Sequence, residues 1–353
     1  LFQLHFSMRL LLYEWCCSGG MQSEIARDIL QKAPLEDFLR EGRLMLETLA
    51  CDAEKNVAME VTVMVDATLP VTEVPHFSEH ITVKKIAPGK NRSSLLTMAS
   101  EADQIILIAP ETHGILLQTI IAVEQAGFGN RLVNCPTPFI HAASDKQMTC
   151  LILAAAGIPT PAGCTIATGG RLPTGFRLPA VLKARTSTGS DGLLMIQDRS
   201  DFVTPETDSR LECHVPGIPS SVCCLCRADS IVPLLPFEQV FTDAQQPVYI
   251  GGRLTHERFH TRMQSLAVRS IDALNKTTQS RARGWVGVDM ILGSCDDGHD
   301  DRVLEINPRL TTSFVGLSRA QHGGLIHPLL NHVQGVEIDI GPWNTEACEF
   351  SLA

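Results

Sequence analysis

The sequence predicts α/β followed by α+β architecture: an open α/β domain over residues 8–135, then a remainder built from short strands and few helices. Three observations carry this. Strand-like and helix-like segments alternate through the first third, the pattern of a parallel sheet with crossover helices. Pro136 and Pro138 break that pattern. From Leu178 onward, short strands joined by Gly- and Pro-containing turns dominate, interrupted by one long helix-like stretch over about 261–276.

In order, Leu10 to Tyr13 is a short apolar strand ending in the turn Ser18-Gly19-Gly20. Helices are expected from Ser23 to Lys32 and from Leu35 to about Ala53, and strands over Val61–Asp66 and Ile81–Ile86. Ser93–Ser100 reads as a helix, Gln104–Ala109 as a buried strand, Ile115–Gln125 as a helix and Arg131–Asn134 as another strand. Ser144-Asp145-Lys146-Gln147 matches a capping box with Ser144 as N-cap. Met148, Leu151, Ile152 and Ala155 form the expected apolar face of that helix, and Gly157-Ile158-Pro159 ends it.

Composition bounds the function. At 353 residues, 44% hydrophobic and 19% charged, the chain suits two or three packed subdomains. A net charge of -10 argues against non-specific nucleic-acid binding, which needs many basic residues to neutralise phosphates. The apolar runs are far too short for a membrane span, so no membrane partner is expected. The twelve cysteines, with adjacent pairs at Cys16-Cys17 and Cys223-Cys224, fit no secreted framework; reduced, mostly buried thiols and a cytoplasmic location are expected. Met8 is a candidate start with Leu1 to Ser7 extraneous, and Tyr13-Glu14-Trp15 interrupts the apolar stretch too early for a signal peptide.

The chemistry concentrates in a few segments. Gly284–Leu292 and Arg302–Asn307 both alternate like strands, and the polar, Gly-containing loop between them suits a hairpin. If that hairpin is symmetric about Asp297, Asp289 lies opposite Glu305, and Asn307 shares the face of Glu305. Three hard oxygen ligands then converge, a set suited to Mg²⁺ that shares its coordination with phosphates. The alternative, acids facing solvent on an ordinary hairpin, fits poorly with the buried character of Val288, Leu304 and Ile306. Lys146 sits in the first turn of a helix, where backbone N–H groups favour an anion. Lys183 follows Leu178 to Leu182 in a strand and precedes the loop Thr186 to Gly192, whose amides could close over phosphates. Alone, a lysine before a flexible turn is commonly a surface residue.

Taken as an ordered set, Ser144-Asp145-Lys146, the Lys183 strand with its Gly189-Ser190-Asp191-Gly192 loop, Leu211 to Gly217, Gly287-Val288-Asp289 and Glu305 to Arg309 resemble the ATP-grasp superfamily over roughly residues 135–320. The resemblance implies a Rossmann-like pre-ATP-grasp domain at 8–135, a small lid subdomain at 136–210 and a large subdomain with the metal site at 211–353. It further implies that Lys146 and Lys183 contact ATP phosphates under the loop carrying Ser187, Gly189, Ser190 and Gly192. Glu212, Cys213, His214 and Val215 would form the adenine hinge. Asp289, Glu305 and Asn307 would hold Mg²⁺ in two ions, with Mn²⁺ able to substitute. Arg309, with Lys183, would serve the transferring phosphoryl group. Many members carry a ribose-binding carboxylate a few residues after the hinge glutamate; here Gly217 to Ser221 occupies that stretch, and the ribose contact is unassigned. The implied activity is ATP-dependent ligation of a carboxylate to an amine through an acyl phosphate, releasing ADP, with a homodimer possible in the family. Within the superfamily, Glu305 to Leu317, Ala109-Pro110-Glu111, Tyr13-Glu14-Trp15 and Tyr249 to Gly252 resemble the tyramine–glutamate ligases. On that reading Arg309 to Ser313 and Glu111 lie near the substrates. Glu111 as a strand-end cap and Ser18–Gly20 as a plain turn are equally open.

Two rival readings stand beside this. His256-Glu257-Arg258-Phe259-His260 matches H-E-x-x-H, a zinc-hydrolase pattern when it lies on a helix. Arg258 is charged where a packing residue is expected, and no third ligand follows. The other is a nucleotide-binding sensor without catalysis, which would bind ATP and release no ADP. Cys223 to Cys226, with no histidine nearby, reads as core rather than a soft-metal site.

Overall fold

The computed structural model describes residues 7–23, 35–55, 58–189, 192–242, 244–347 and 349–352. The expected helix at Ser23–Lys32 and the loop residues Ser190 and Asp191 therefore lie outside the described residues, Ser23 itself excepted. The first unit is a parallel sheet of β1 (Met8–Glu14), β2 (Met59–Asp66), β3 (Thr82–Ile86) and β4 (Gln104–Ile108), in the order β3-β2-β1-β4. Helices α1 (Leu35–Glu54), α2 (Asn91–Glu101) and α3 (Ile115–Gln125) provide its crossovers. Along α1, Leu39, Leu46, Leu49 and Ala53 recur at helical spacing and are buried, which seats that helix on the sheet. The turn after β1 depends on glycine: Gly19 has φ 87°, and a Cβ on Gly20 would come within 2.3 Å of the Trp15 ring.

The strand expected at Arg131–Asn134 does not form. A 3₁₀ turn occupies Gly129–Arg131, and only Leu132 bridges to Ile105. Asn134 takes the place of a ladder residue with its side chain, accepting from Leu107 N at 3.1 Å and donating to Leu107 O at 2.7 Å.

The prolines that end the first pattern open a helix instead of a loop: α4 spans Thr137–Ser144, with Pro138 at its start, where a missing N–H costs nothing. The next helix, α5 (Lys146–Ala155), is capped by Asp145 and not by Ser144; Asp145 Oδ1 accepts from the N–H groups of Gln147 and Met148. Ser144 already ends α4, so it is not available as a cap. The buried face of α5 is Lys146, Thr149, Cys150 and Leu153, whereas Leu151 is 60% exposed. The expected apolar face is thus rotated, because this helix turns two polar side chains inward.

A second, antiparallel sheet holds β5 (Gly163–Ile166), β6 (Ala180–Ala184), β7 (Leu194–Ile196) and β8 (Ser209–Cys213), in the order β5-β8-β6-β7. It has its own core of Ile166, Ala180, Leu182, Leu194, Ile196 and Leu211. The third sheet contains β9 (Ile218–Arg227), β10 (Ser230–Pro233), β11 (Phe237–Phe241), β12 (Tyr249–Leu254), β13 (Gly284–Leu292), β14 (Arg302–Asn307) and β15 (Phe350–Ser351). Its order is β14-β13-β9-β11-β12-β15, with β10 on β9. Helix α6 (His260–Thr278) packs on this sheet with α4 and α5, followed by α7 (Ser313–Ala320) and α8 (Ile326–Val333). Phe139, Ile140, Ala143 and Leu153 belong to the main core, not to that of the small sheet. Of the stretch 136–210 expected as one lid unit, only residues from Gly163 onward therefore form the small-sheet layer.

Cys223, Cys224 and Cys226 are buried in β9, and the described cysteines are free thiols. No helix among the described residues is long and apolar enough to cross a membrane.

Candidate active site

The site is built on the β13–β14 hairpin. Its register places Asp289 directly opposite Glu305 and Asn307 opposite Gly287, as the alternation predicts. Gly287 lets the Thr311 side chain approach closely: a Cβ there would sit 2.8 Å from the Thr311 methyl. Asn307 Nδ2 donates to Asp289 Oδ2 at 2.9 Å, and Gln239 Nε2, from β11, donates to Asp289 Oδ1 at 3.2 Å. Burial, reinforced by the nearby Glu305 charge, pushes the Asp289 carboxyl up to about 7. Burial also acts on Glu305, but the Lys146 and Lys183 ammoniums outweigh it and hold that carboxyl below its usual range.

Two buried lysines face this hairpin from different units. Lys146, at the first turn of α5, lies 3.1 Å from Glu305 Oε2 and donates to the Ser187 carbonyl at 2.6 Å. Lys183, on β6, lies 2.8 Å from Glu212 Oε1. Burial lowers the Lys183 pKa, yet Glu212 and Glu305 more than compensate and keep it charged. Arg210 completes the group, donating through Nε to Glu212 Oε2 at 2.9 Å and through Nη1 to Gln147 Oε1 at 2.5 Å.

Arg309 is buried and reaches into the first unit, donating through Nε to Glu111 Oε1 at 2.9 Å. Thr188 Oγ1 donates to Glu111 Oε2 at 2.7 Å and accepts from the Glu111 N–H at 2.9 Å. Glu111 thus ties Arg309 to the loop that follows β6, which is more than a strand-end cap. Glu41, on α1, accepts from Thr312 Oγ1.

A small cavity of about 110 Å³ is lined by Asp289, Glu305, Asn307, Lys146, Lys183 and Arg309, among others. A larger one of about 870 Å³ lies outside it, beside the loop at 184–189 and the first unit. Gly189 lines both, Ser187 and Gly192 line the outer one, and Ser190 is not described. The expected hinge residues divide. Glu212 is buried against Lys183, Cys213 ends β8, and His214 and Val215 lead on towards β9; none of the four lines either cavity.

The H-E-x-x-H segment is not a zinc site. His256 precedes a 3₁₀ turn at Glu257–Phe259, and α6 begins only at His260. His256 Nδ1 accepts from Arg258 N at 3.3 Å, while His260 Nε2 lies 3.0 Å from the Thr255 carbonyl. The two rings are therefore not presented on one helical face.

Sequence reasoning missed Glu41, Gln239 and Arg210 as parts of the site. Glu41 sits in an ordinary amphipathic helix far along the chain, and no local pattern marks it. Arg210 could have been suspected, since a charged residue two before Glu212 in a strand shares its face.

Comparison with known proteins follows the same division. The ATP-grasp domain profile matches residues 143–313, and that of the pre ATP-grasp 3 domain matches residues 59–140. No curated protein matches the chain. Among solved structures, an ATP-grasp superfamily protein from Archaeoglobus fulgidus is 20% identical, with a TM-score of 0.64, covering 94% of this chain and 90% of that one. N5-carboxyaminoimidazole ribonucleotide synthetase from Thermotoga maritima is 16% identical, with a TM-score of 0.58 and coverage of 94% and 77%. L-amino acid ligase from Bacillus licheniformis is 15% identical, with a TM-score of 0.56 and coverage of 89% and 69%. At such identities the likeness is one of fold. The two consecutive domain profiles, which together span most of the sequence, establish that the chain belongs to the ATP-grasp superfamily.

Proposed function

We propose that this protein is an ATP-dependent ligase that phosphorylates a small-molecule carboxylate and joins the resulting acyl phosphate to an amine. The observation that carries the reading is the convergence of Asp289, Glu305 and Asn307 with Lys146, Lys183 and Arg309 around one small cavity. Two half-buried carboxylates side by side are unfavourable unless a cation lies near them, and their oxygen donors with the Asn307 amide suit Mg²⁺. When bound there, the ion supplies charge neutralisation at the phosphate oxygens.

The chain's own residues do the remainder. Lys146 and Lys183 exchange their present carboxylate partners for the phosphates of ATP. The loop carrying Ser187 and Gly189 covers those phosphates and excludes water, which would otherwise consume the acyl phosphate. Arg309, held in place by Glu111, meets the negative charge that builds as a carboxylate oxygen attacks the γ-phosphorus. Adenine lies against the connection at 212–215 between the two sheets. The resemblance to tyramine–glutamate ligases supports glutamate as the carboxylate and an amine such as tyramine as the acceptor.

The test is ADP release from Mg-ATP with L-glutamate and a panel of other carboxylates and amines, tyramine included. Turnover that needs both a carboxylate and an amine is the expected result. Tight ATP binding with no ADP released by any pair would refute a ligase and leave a nucleotide sensor.

A further inference from the structure

The two cavities meet at a shared wall that includes Glu41, Gly189, Leu193 and Tyr249. Of the carboxylates lining either cavity, Glu41 is the one that lines both. Asp145, on the outer side, is committed to Arg185 and to capping α5, and Asp208 lies within 4.0 Å of the same arginine. Asp289 and Glu305, on the inner side, face the lysines and the candidate metal position. Glu41 has a different setting. It is half-buried at the junction, and Thr312 Oγ1 donates to its Oε1. Among the described residues its Oε2 has no hydrogen-bond partner.

Both cavities carry charges of both signs, and the position of Glu41 between them is what distinguishes it. The inner cavity carries Lys146, Lys183 and Arg309, which suit phosphate and carboxylate. Its entrance carries Glu41, which suits a cation, beside the half-buried Tyr249 ring. Phe38, Val248 and Leu352 add apolar surface to the outer cavity.

We propose that the outer cavity admits an amine in its ammonium form, with an apolar body, and that Glu41 is the catalytic base that deprotonates it. The proposal rests on the ligase reading above and assigns its second half-reaction. An alkylammonium has no lone pair and cannot attack. It first gives one proton to Glu41 Oε2. The freed nitrogen lone pair forms the C–N bond at the acyl carbon, and the C–O bond to phosphate breaks, with the electron pair leaving on the phosphate oxygen. The second N–H proton goes to that departing phosphate, giving amide, hydrogen phosphate and protonated Glu41. Glu41 then returns its proton to water through the outer cavity.

Hydroxylamine separates this step from acyl-phosphate formation, because it is largely uncharged at neutral pH and needs no base to expose its lone pair. The experiment compares the full-length protein with Glu41→Gln and Glu41→Ala, using whichever carboxylate of the panel supports ADP release. Each is given hydroxylamine or tyramine as acceptor, and hydroxamate or amide is quantified. The expected result is amide formation reduced on the order of 100-fold or more in both variants, with hydroxamate formation within a few-fold of wild type. Equal losses with both acceptors would overturn the proposal and leave Glu41 a support for Thr312. Unchanged amide formation would overturn it as well. A wild-type protein that forms neither product with any carboxylate would instead overturn the ligase reading itself.

Discussion

Replacing Glu305 with Gln tests the centre of the site. The side chain is 13% exposed, lies 3.1 Å from the Lys146 ammonium and faces Asp289 across the hairpin. At an effective dielectric of about 20, the Lys146 attraction is gross about 5 kcal/mol. The substitution also removes the charge that helps push Asp289 up to about 7, so one attraction and one repulsion disappear together. Lys146 keeps its bond to the Ser187 carbonyl, and glutamine is nearly isosteric. The net change in folding stability should therefore be small, on the order of 1 kcal/mol. Catalysis has no such offset, because a neutral amide neither balances a divalent cation nor holds the phosphates through it. The barrier should rise by about 3 kcal/mol or more, a rate loss of roughly 100-fold or greater. Steady-state ADP release and thermal denaturation, each with and without Mg²⁺, read the two effects separately. A Glu305→Gln protein that turns over within a few-fold of wild type at saturating Mg²⁺ would refute the metal assignment.

Other consequences are equally direct. Asp289 titrates near 7 when folded and near 3.8 when unfolded, so the folded state holds an extra proton between those values. Its contribution to stability is full below about pH 4 and is lost as pH rises through about 7, whereas Mg²⁺ needs the ionised form. The rise in Tm on adding Mg²⁺ should therefore be larger at about pH 8 than at about pH 6, and an equal or reversed shift would count against the site. Glu111→Gln weakens the buried bond to Arg309 and should lower stability by about 1.5–3 kcal/mol in urea unfolding, with a fall in turnover. A variant as stable as wild type would show that Glu111 does not anchor the guanidinium. His256→Ala should keep ADP release within a few-fold of wild type, since His256 caps only a 3₁₀ turn. Abolished activity would revive the zinc reading.

The hairpin was legible because a strand has period two: once its turn was centred, the facing of Asp289, Glu305 and Asn307 followed without further information. The strand carrying Lys183 was legible for the same reason. The region before α5 was not. Proline was read as an interruption at 136–138, although it equally begins a helix, and the unseen α4 displaced the cap from Ser144 to Asp145. The α5 face was misassigned because hydrophobicity was taken as the sign of burial. Lys146 and Thr149 are buried there, and Lys146 is turned inward to meet Glu305. Glu41 was invisible for another reason: its meaning lies in Thr312, which is 271 residues away, and no pattern within α1 reports that contact.

That long-range contact belongs to a wider allocation of charge, and on the proposed reading the allocation explains what the first unit contributes to the site. Arg309 follows Glu305 by four residues, and a buried guanidinium that close would compete with Lys146 and the metal for the same carboxylate. Burial lowers the Arg309 pKa, but Glu111 foremost, then Glu41, and only more weakly Glu305, more than restore its charge. The two strongest of these carboxylates both come from the first unit, from the end of β4 and from α1. Glu111, bonded directly to the guanidinium, holds the arginine on that side of the cavity and leaves Glu305 to Lys146. Without the direct bond from Glu111, Arg309 would be free to pair with Glu305. On the proposed reading, the separation of a phosphoryl-binding cation from a metal-binding anion is thus imposed by a different unit from the one that supplies both groups.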